Sequence, residues 1–263
     1  MKINKNILAA FATAGAFFLS TVTPALAVST VVVTPSNPQG WSTADTRPGG
    51  AVNFVNALTS PYPTGALELT TSSSTAAKAQ YLKAATGSLN DVTELSYWTS
   101  QVGGPAFADP SYQLLVDLNG SGTGGFTTFV YEPYQNGVIS PGVWQQWDVD
   151  AGQMWSSRSF SEGTCIVVAG AGGAPFYTLS ALKTACPNAT VLGFGVNIGS
   201  NNPSYNVLSD GVNFNGTTYD FELFQTPKSK EECKNGGFLN LTDQNGQSFK
   251  NQGQCVSYVN HNS

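Results

Sequence analysis

The sequence predicts a mostly β protein: an antiparallel jelly-roll β-sandwich with one short inserted helix and a small disulfide-stapled helical module at its C-terminal end. Three observations predict it. Short runs of alternating apolar and polar residues recur from residue 31 to 224, broken about every ten residues by Gly, Pro, Ser or Asn. Only 10% of residues are charged, so neutral polar side chains must cover the exposed strand faces. Cys165, Cys186, Cys233 and Cys255 fall as two similarly spaced pairs, each bracketing one local unit.

The N-terminal segment has the parts of a secretory signal: Lys2 and Lys5, an apolar run over residues 7–19, and Ala25, Leu26 and Ala27 before a cut. The expected organisation is a signal peptide over residues 1–27, a sandwich domain over 28–227 and a Cys-bridged module over 228–263. Removing the leader takes away two of the 11 Lys+Arg and none of the 16 Asp+Glu, leaving about −7 of formal charge. Such an acidic chain is no partner for nucleic acid, and no later apolar run is long enough for membrane insertion. The expected location is extracellular or at the cell surface.

Strands are expected at residues 31–34, 51–56 and 66–71, with Val52, Phe54, Leu67 and Leu69 facing inward. Residues 79–83 and 92–98 follow, the latter with Leu95 and Tyr97 inward. Then comes the stretch 109–155, with strands at 111–118, 126–132 and 143–149 around the glycine-rich turn NGSGTGG. Tyr112, Leu114, Val116 and Leu118 share one face of the first of these. In VWQQWDV, Trp144 and Trp147 have opposite parity, so they cannot both lie on one sheet face. The segment TLSALKTACPNA forms the inserted helix, with Thr178 as N-cap and Pro187 as stop. It leads into TVLGFGVNIGS, where Leu192, Phe194, Val196 and Ile198 are expected in the core. Gly193, Gly195, Asn197 and Gly199 form the opposite row, read first as close approach by a neighbouring strand and otherwise as a groove floor. Strands at 211–215 and 218–224 close the sandwich. In the tail, Ser229 and Glu232 form a capping box for a short helix that Gly236 ends, and residues 253–260 form another.

For an exported chain, four cysteines favour disulfides, paired in sequence as Cys165–Cys186 and Cys233–Cys255. A zinc site on Cys233, Cys255 and His261 is the alternative, but its spacing fits no usual finger.

The order GW, VDLNGSGTGGFTTFVYEPYQNG, VWQQWD, ALKTACPNATVLGFGVNIGS and DGVNFNGTTYDFE resembles a recurrent secreted bacterial β-sandwich over residues 31–223. These domains are similar to the concanavalin-type jelly rolls used as carbohydrate-binding modules. The tail CKNGGF…SFKNQGQCVSYV is similar to a short two-Cys motif at the C-terminus of other exported bacterial proteins. The resemblance implies a sandwich and a binding role; the insertion at 165–186 departs from it, and no functional residues carry over.

The chemistry available is narrow. His261 is the one histidine, close to the C-terminal end of the sequence, so a Ser–His–Asp triad has no base and histidine-rich metal sites are excluded. Neither GSGTGG nor AGAGGAP has the context of a phosphate-binding loop. A glycosidase needs only two carboxylates, and Glu132, Asp148 and Asp150 supply acids near the central strands. The acidic motif typical of laminarinase-like jelly rolls is absent, however, and Pro133 marks Glu132 as a strand end. Sugar binding uses aromatic rings with amide and carboxylate partners. The residues offered for it are Trp98, Gln113, Asp117, Tyr131, Glu132, Tyr134, Asn136, Trp155 and Asn197. No cofactor is required; a structural calcium is the one metal considered, with Asp45, Asp210 and Asp220 as its ligands. The function expected is therefore non-catalytic binding of polysaccharide or cell-surface glycan. The alternative is a structural or adhesive protein that contacts other surface proteins.

Overall fold

The computed structural model describes residues 29–62 and 64–262, so the expected signal segment, residues 1–27, lies outside the described residues. Along the chain run β1 (Ser29–Val33), β2 (Trp41–Ser42), β3 (Gly50–Asn56), β4 (Gly65–Thr71), β5 (Ala79–Ser88), β6 (Leu95–Gly103), β7 (Ser111–Asp117) and β8 (Phe126–Tyr131). The four-residue helix α1 (Pro133–Asn136) leads to β9 (Gln145–Asp148), β10 (Met154–Ser156), β11 (Phe160–Glu162), β12 (Cys165–Val167) and β13 (Phe176–Tyr177). After α2 (Leu179–Ala185) come β14 (Thr190–Ile198), β15 (Asn206–Phe214), β16 (Thr217–Phe221) and finally α3 (Gln252–Asn262).

These elements form a jelly-roll sandwich of two seven-stranded sheets. The front sheet runs β13-β10-β8-β7-β14-β5-β2 and is antiparallel throughout. The back sheet is organised around β15, which pairs with β4 over one half and β16 over the other, and with β6 along its second edge. There β3 extends β4, β9 extends β6, and β1 joins β16 in a parallel strand pairing.

Alternation explains the core. Tyr112, Leu114 and Val116 of β7 point into the sandwich, as do Phe129 and Tyr131 of β8 and Tyr81 of β5. Leu67, Leu69, Leu95, Tyr97 and Phe221 meet them from the back sheet. Trp41 closes one end, stacked on Tyr81 at 5.3 Å and edge-on to Phe194 and Phe221. Phe194 stacks on Phe214 at 4.4 Å, which ties β14 to β15 across the two sheets. Trp147 is the buried one of the VWQQWDV pair, and its indole N–H donates to Thr99 Oγ1 at 2.7 Å.

Several sequence expectations are corrected. Leu192 is 40% exposed rather than in the core, because β14 shifts register between Val191 and Gly193 against both of its neighbours. That bulge turns Leu192 outward and gives its inward place to Val191. The strand expected from 143 begins at Gln145, with Val143 exposed, and the last strand ends at Phe221. The capping box forms, with Glu232 N–H donating to Ser229 Oγ and Lys228 N–H to Glu232 Oε2. The segment nevertheless stays a run of turns. Gly236 at φ 86° reverses the chain, and a Cβ on Gly237 would lie 1.9 Å from the Glu232 carbonyl oxygen.

Both disulfides pair as expected: Cys165–Cys186 joins β12 to the end of α2, and Cys233–Cys255 ties the tail's turns to α3. Thr178 caps α2 by accepting from Ala181 N–H. The tail packs around its own small cluster of Cys233, Leu241, Phe249, Cys255 and Val259. Among the described residues no helix is long and apolar enough to cross a membrane.

Candidate functional site

The outward face of the front sheet is a groove of about 720 Å³. Strand register builds its floor in rows that cross the strands. One row is Gln80, Asn197 and Ser111, on β5, β14 and β7, with Glu132 beyond the end of β8. The next is Leu82, Gly195, Gln113, Val130 and Trp155, the last on β10. The third is Ala84, Gly193, Leu115 and Thr128. Loops supply the rim, with Asp45, Arg47 and Lys78 at the β5 edge and Tyr134, Phe107 and Asp109 beside β8.

The first row is held in place before any ligand arrives. Asn197 Nδ2 donates to Gln80 Oε1 at 3.0 Å, and Gln80 Nε2 donates to the Ala44 carbonyl at 2.6 Å. Gln113 Nε2 donates to Ser111 Oγ at 2.9 Å, whose hydroxyl in turn reaches the Asn197 carbonyl. Such cross-strand bonds fix amide orientation and reduce the entropy lost on binding. The glycines of the second and third rows are explained by close approach. A Cβ on Gly195 would meet the Tyr81 carbonyl oxygen at 2.2 Å, and one on Gly193 the Lys83 carbonyl oxygen at 2.8 Å. Asn197 and Gly199 do border the groove.

Two carboxyls in the groove are unusually basic. Burial pushes Glu132 up to about 7, and the Trp155 indole beside it pulls that value part of the way down. Trp155 Nε1 itself is buried and meets no acceptor in hydrogen-bond geometry among the described residues. Asp109 is also pushed by burial to about 7, opposed by the Thr99 hydroxyl that donates to its Oδ2 at 2.8 Å. Asp109 Oδ1 has no partner among the described residues. A polar chain thus runs from Trp147 through Thr99 of the back sheet to Asp109 in the loop that leads into β7.

Of the residues offered by the sequence, Gln113, Glu132, Tyr134, Trp155 and Asn197 come together in this groove. The others do not. Trp98 lies on β6 of the back sheet, and its ring abuts Gly211. Tyr131 is a core residue, 2% exposed, because its parity matches Phe129 and faces Tyr97. Asp117 organises the NGSGTGG turn by accepting from Gly122 and Asn119 N–H. Asn136 is engaged with the backbone of Glu132 and Gln153. Sequence reasoning missed Asp109, Arg47, Phe126 and Arg158, which reach the groove from loops or strand ends.

The three acids proposed for calcium do not all converge: Asp45 stands apart, whereas buried Asp220 lies near enough to Asp210 for its charge to raise that carboxyl. Asp45 forms an ion pair with Lys78 at the groove rim. Asp210 is fully buried, with Oδ1 accepting from Gly211 and Phe221 N–H and Oδ2 from the Ser60 hydroxyl. Among the described residues no group of three His, Cys, Asp or Glu is placed to hold a metal. For the carboxylate pair a glycosidase needs, Glu132 is in the groove, but Asp148 borders a separate shallow hollow and Asp150 Oδ1 accepts from Leu95 N–H.

Solved structures to which the chain is similar include two from Clostridium thermocellum. One is a family 11 carbohydrate-binding module in complex with a β-1,3-1,4-mixed-linked tetrasaccharide, at 13% identity and a TM-score of 0.40, covering 68% of this chain and 89% of the module. The other is the family 11 module of the cellulosomal cellulase Lic26A-Cel5E, at 11% identity and a TM-score of 0.38, covering 66% and 86%. No protein-family model matches the chain, and no curated protein is significantly similar to it.

Proposed function

We propose that this protein is a non-catalytic polysaccharide-binding module acting outside the cytoplasm, with the glycan lying across β5, β14, β7 and β8 in the front groove. The observation that carries this reading is the groove's composition. The Trp155 indole stands in the same row as Gln113, two strands away, and the ordered Asn197–Gln80 pair lies in the adjoining row toward the β5 edge, so ring and amides line one continuous groove. An apolar ring face beside fixed amides is what a pyranose requires, since its axial C–H groups seek a flat apolar surface and its hydroxyls seek directed partners. A binding role without catalysis is favoured because Asp148 and Asp150 stand apart from Glu132, and its groove companion Asp109 is only 6% exposed. The two disulfides suit an oxidising compartment.

Affinity electrophoresis of the mature protein through gels containing soluble polysaccharides tests the reading. Retardation by at least one polysaccharide, lost in Trp155→Ala and weakened in Tyr134→Ala, is expected. Release of reducing sugar that disappears in Glu132→Gln would contradict the non-catalytic role, and absence of retardation by every polysaccharide would contradict binding.

A further inference from the structure

The groove's charge is at odds with the rest of the molecule. The chain is acidic, with formal charge −5, and it contains two arginines, Arg47 and Arg158; both line the groove. The other cations of the sandwich are committed elsewhere: Lys78 to Asp45, Lys83 to the Gln39 carbonyl and Lys183 to the Val92 carbonyl. Neither arginine forms an ion pair among the described residues. Both are exposed. The Arg158 guanidinium lies over the Phe126 ring at 4.9 Å, an arrangement that restrains the plane and leaves its N–H edges open.

Their positions are informative. Arg47 bridges to Lys78 just outside the start of β5, whereas Arg158 follows β10, its N–H donating to Thr127 Oγ1 on β8. They occupy opposite corners of the groove. Four to five strand spacings across the sheet and about seven residues along it separate their backbone positions, roughly 25–35 Å. A single small anion cannot span that distance, but a polymer with recurring anionic groups can. The acids nearby do little to cancel these charges. Asp45 is neutralised by Lys78, and burial keeps Asp109 and Glu132 largely protonated below about pH 7.

We infer that the groove's ligand is an acidic, uronate-bearing polysaccharide whose carboxylates are received by Arg47 and Arg158. The inference rests on the polysaccharide-binding reading above and adds the class of sugar. Arginine is suited to this role because its planar fork matches a carboxylate with two parallel hydrogen bonds. The protein's overall negative charge opposes non-specific attraction of a polyanion, so any affinity must come from the groove itself.

The test is isothermal titration of the mature protein at pH 6 with polygalacturonate, a carboxyl-reduced polygalacturonate, a neutral mixed-linkage glucan and dextran sulfate. Arg47→Gln, Arg158→Gln and the double variant are measured alongside, with melting temperatures to confirm folding. Binding of polygalacturonate is expected, at least about tenfold weaker in the double variant and weakened by carboxyl reduction or by added salt. Binding of the neutral glucan without polygalacturonate would overturn the inference and leave the polysaccharide reading standing. Preference for dextran sulfate over polygalacturonate, or a double variant that binds polygalacturonate like the parent, would overturn it as well. Binding of none of the four would remove both.

Discussion

Asp109 makes the stability of this protein depend on pH in an unusual direction. Its carboxyl is buried, with one oxygen held by Thr99 and the other without a partner, and burial raises it to about 7. In the unfolded chain an aspartate titrates near 4. Between these values the folded state holds a proton that the unfolded state has released. Stability from this group is therefore fully present below about pH 4 and is lost as pH rises to 7. At 1.36 kcal/mol per pH unit the loss is roughly 4 kcal/mol, an upper figure because the folded site can relax on ionisation. Asp109→Asn keeps a neutral acceptor for Thr99 and cannot ionise. Urea unfolding curves at pH 4, 5, 6, 7 and 8 should show the parent losing more stability across this window than Asp109→Asn, by about 2–4 kcal/mol. Equal slopes for the two proteins would refute the assignment of a buried, protonated Asp109.

Other outcomes follow from the same structure. Trp155→Ala should weaken polysaccharide binding by about 2 kcal/mol, roughly thirtyfold in Kd by titration calorimetry, at a temperature well below the variant's own melting transition. Replacing Cys165 and Cys186 by serine opens a loop with a sequence separation of 21 and should cost about 3 kcal/mol in chemical denaturation. Asp210→Ala strands the Ser60 hydroxyl and the Gly211 and Phe221 N–H groups inside the back sheet, and should lower stability by about 3 kcal/mol or more. Phe194→Ala should cost about 3–5 kcal/mol because the ring fills the space between Trp41, Tyr112 and Phe214.

The sandwich was legible because strand alternation survives in the sequence. The inward rows of β4 and β7, the cap on α2 and both disulfide pairs follow from local pattern and spacing. Leu192 was misplaced because a bulge changes parity without leaving an obvious mark in a run where nearly every residue is apolar or glycine. Tyr131 was misplaced for a related reason: FTTFVY is apolar on both faces near its end, so only pairing with Tyr112 decides which way it points. Half of the groove was visible because Gln113 and Asn197 sit on strands with clear outward parity and Trp155 follows the turn DAGQ. Arg47, Asp109 and Arg158 were not, since they are far apart in sequence and meet only through the sheet order β10-β8-β7-β14-β5. Periodicity reports which face a residue takes, but not which strands lie side by side.

The central claim is that the front groove receives the glycan, and Trp155 is the tryptophan placed to report it. The chain has five tryptophans: Trp41 and Trp147 are buried, Trp98 is on the back sheet, and Trp144 precedes β9. Indole resonances in a ¹⁵N–¹H correlation spectrum, recorded as polysaccharide is added, separate these locations. The Trp155 Nε1–H signal should shift and saturate while those of Trp98 and Trp144 stay in place. Saturable shifts at Trp98 or Trp144 with Trp155 unmoved would place the binding surface elsewhere and contradict the central claim.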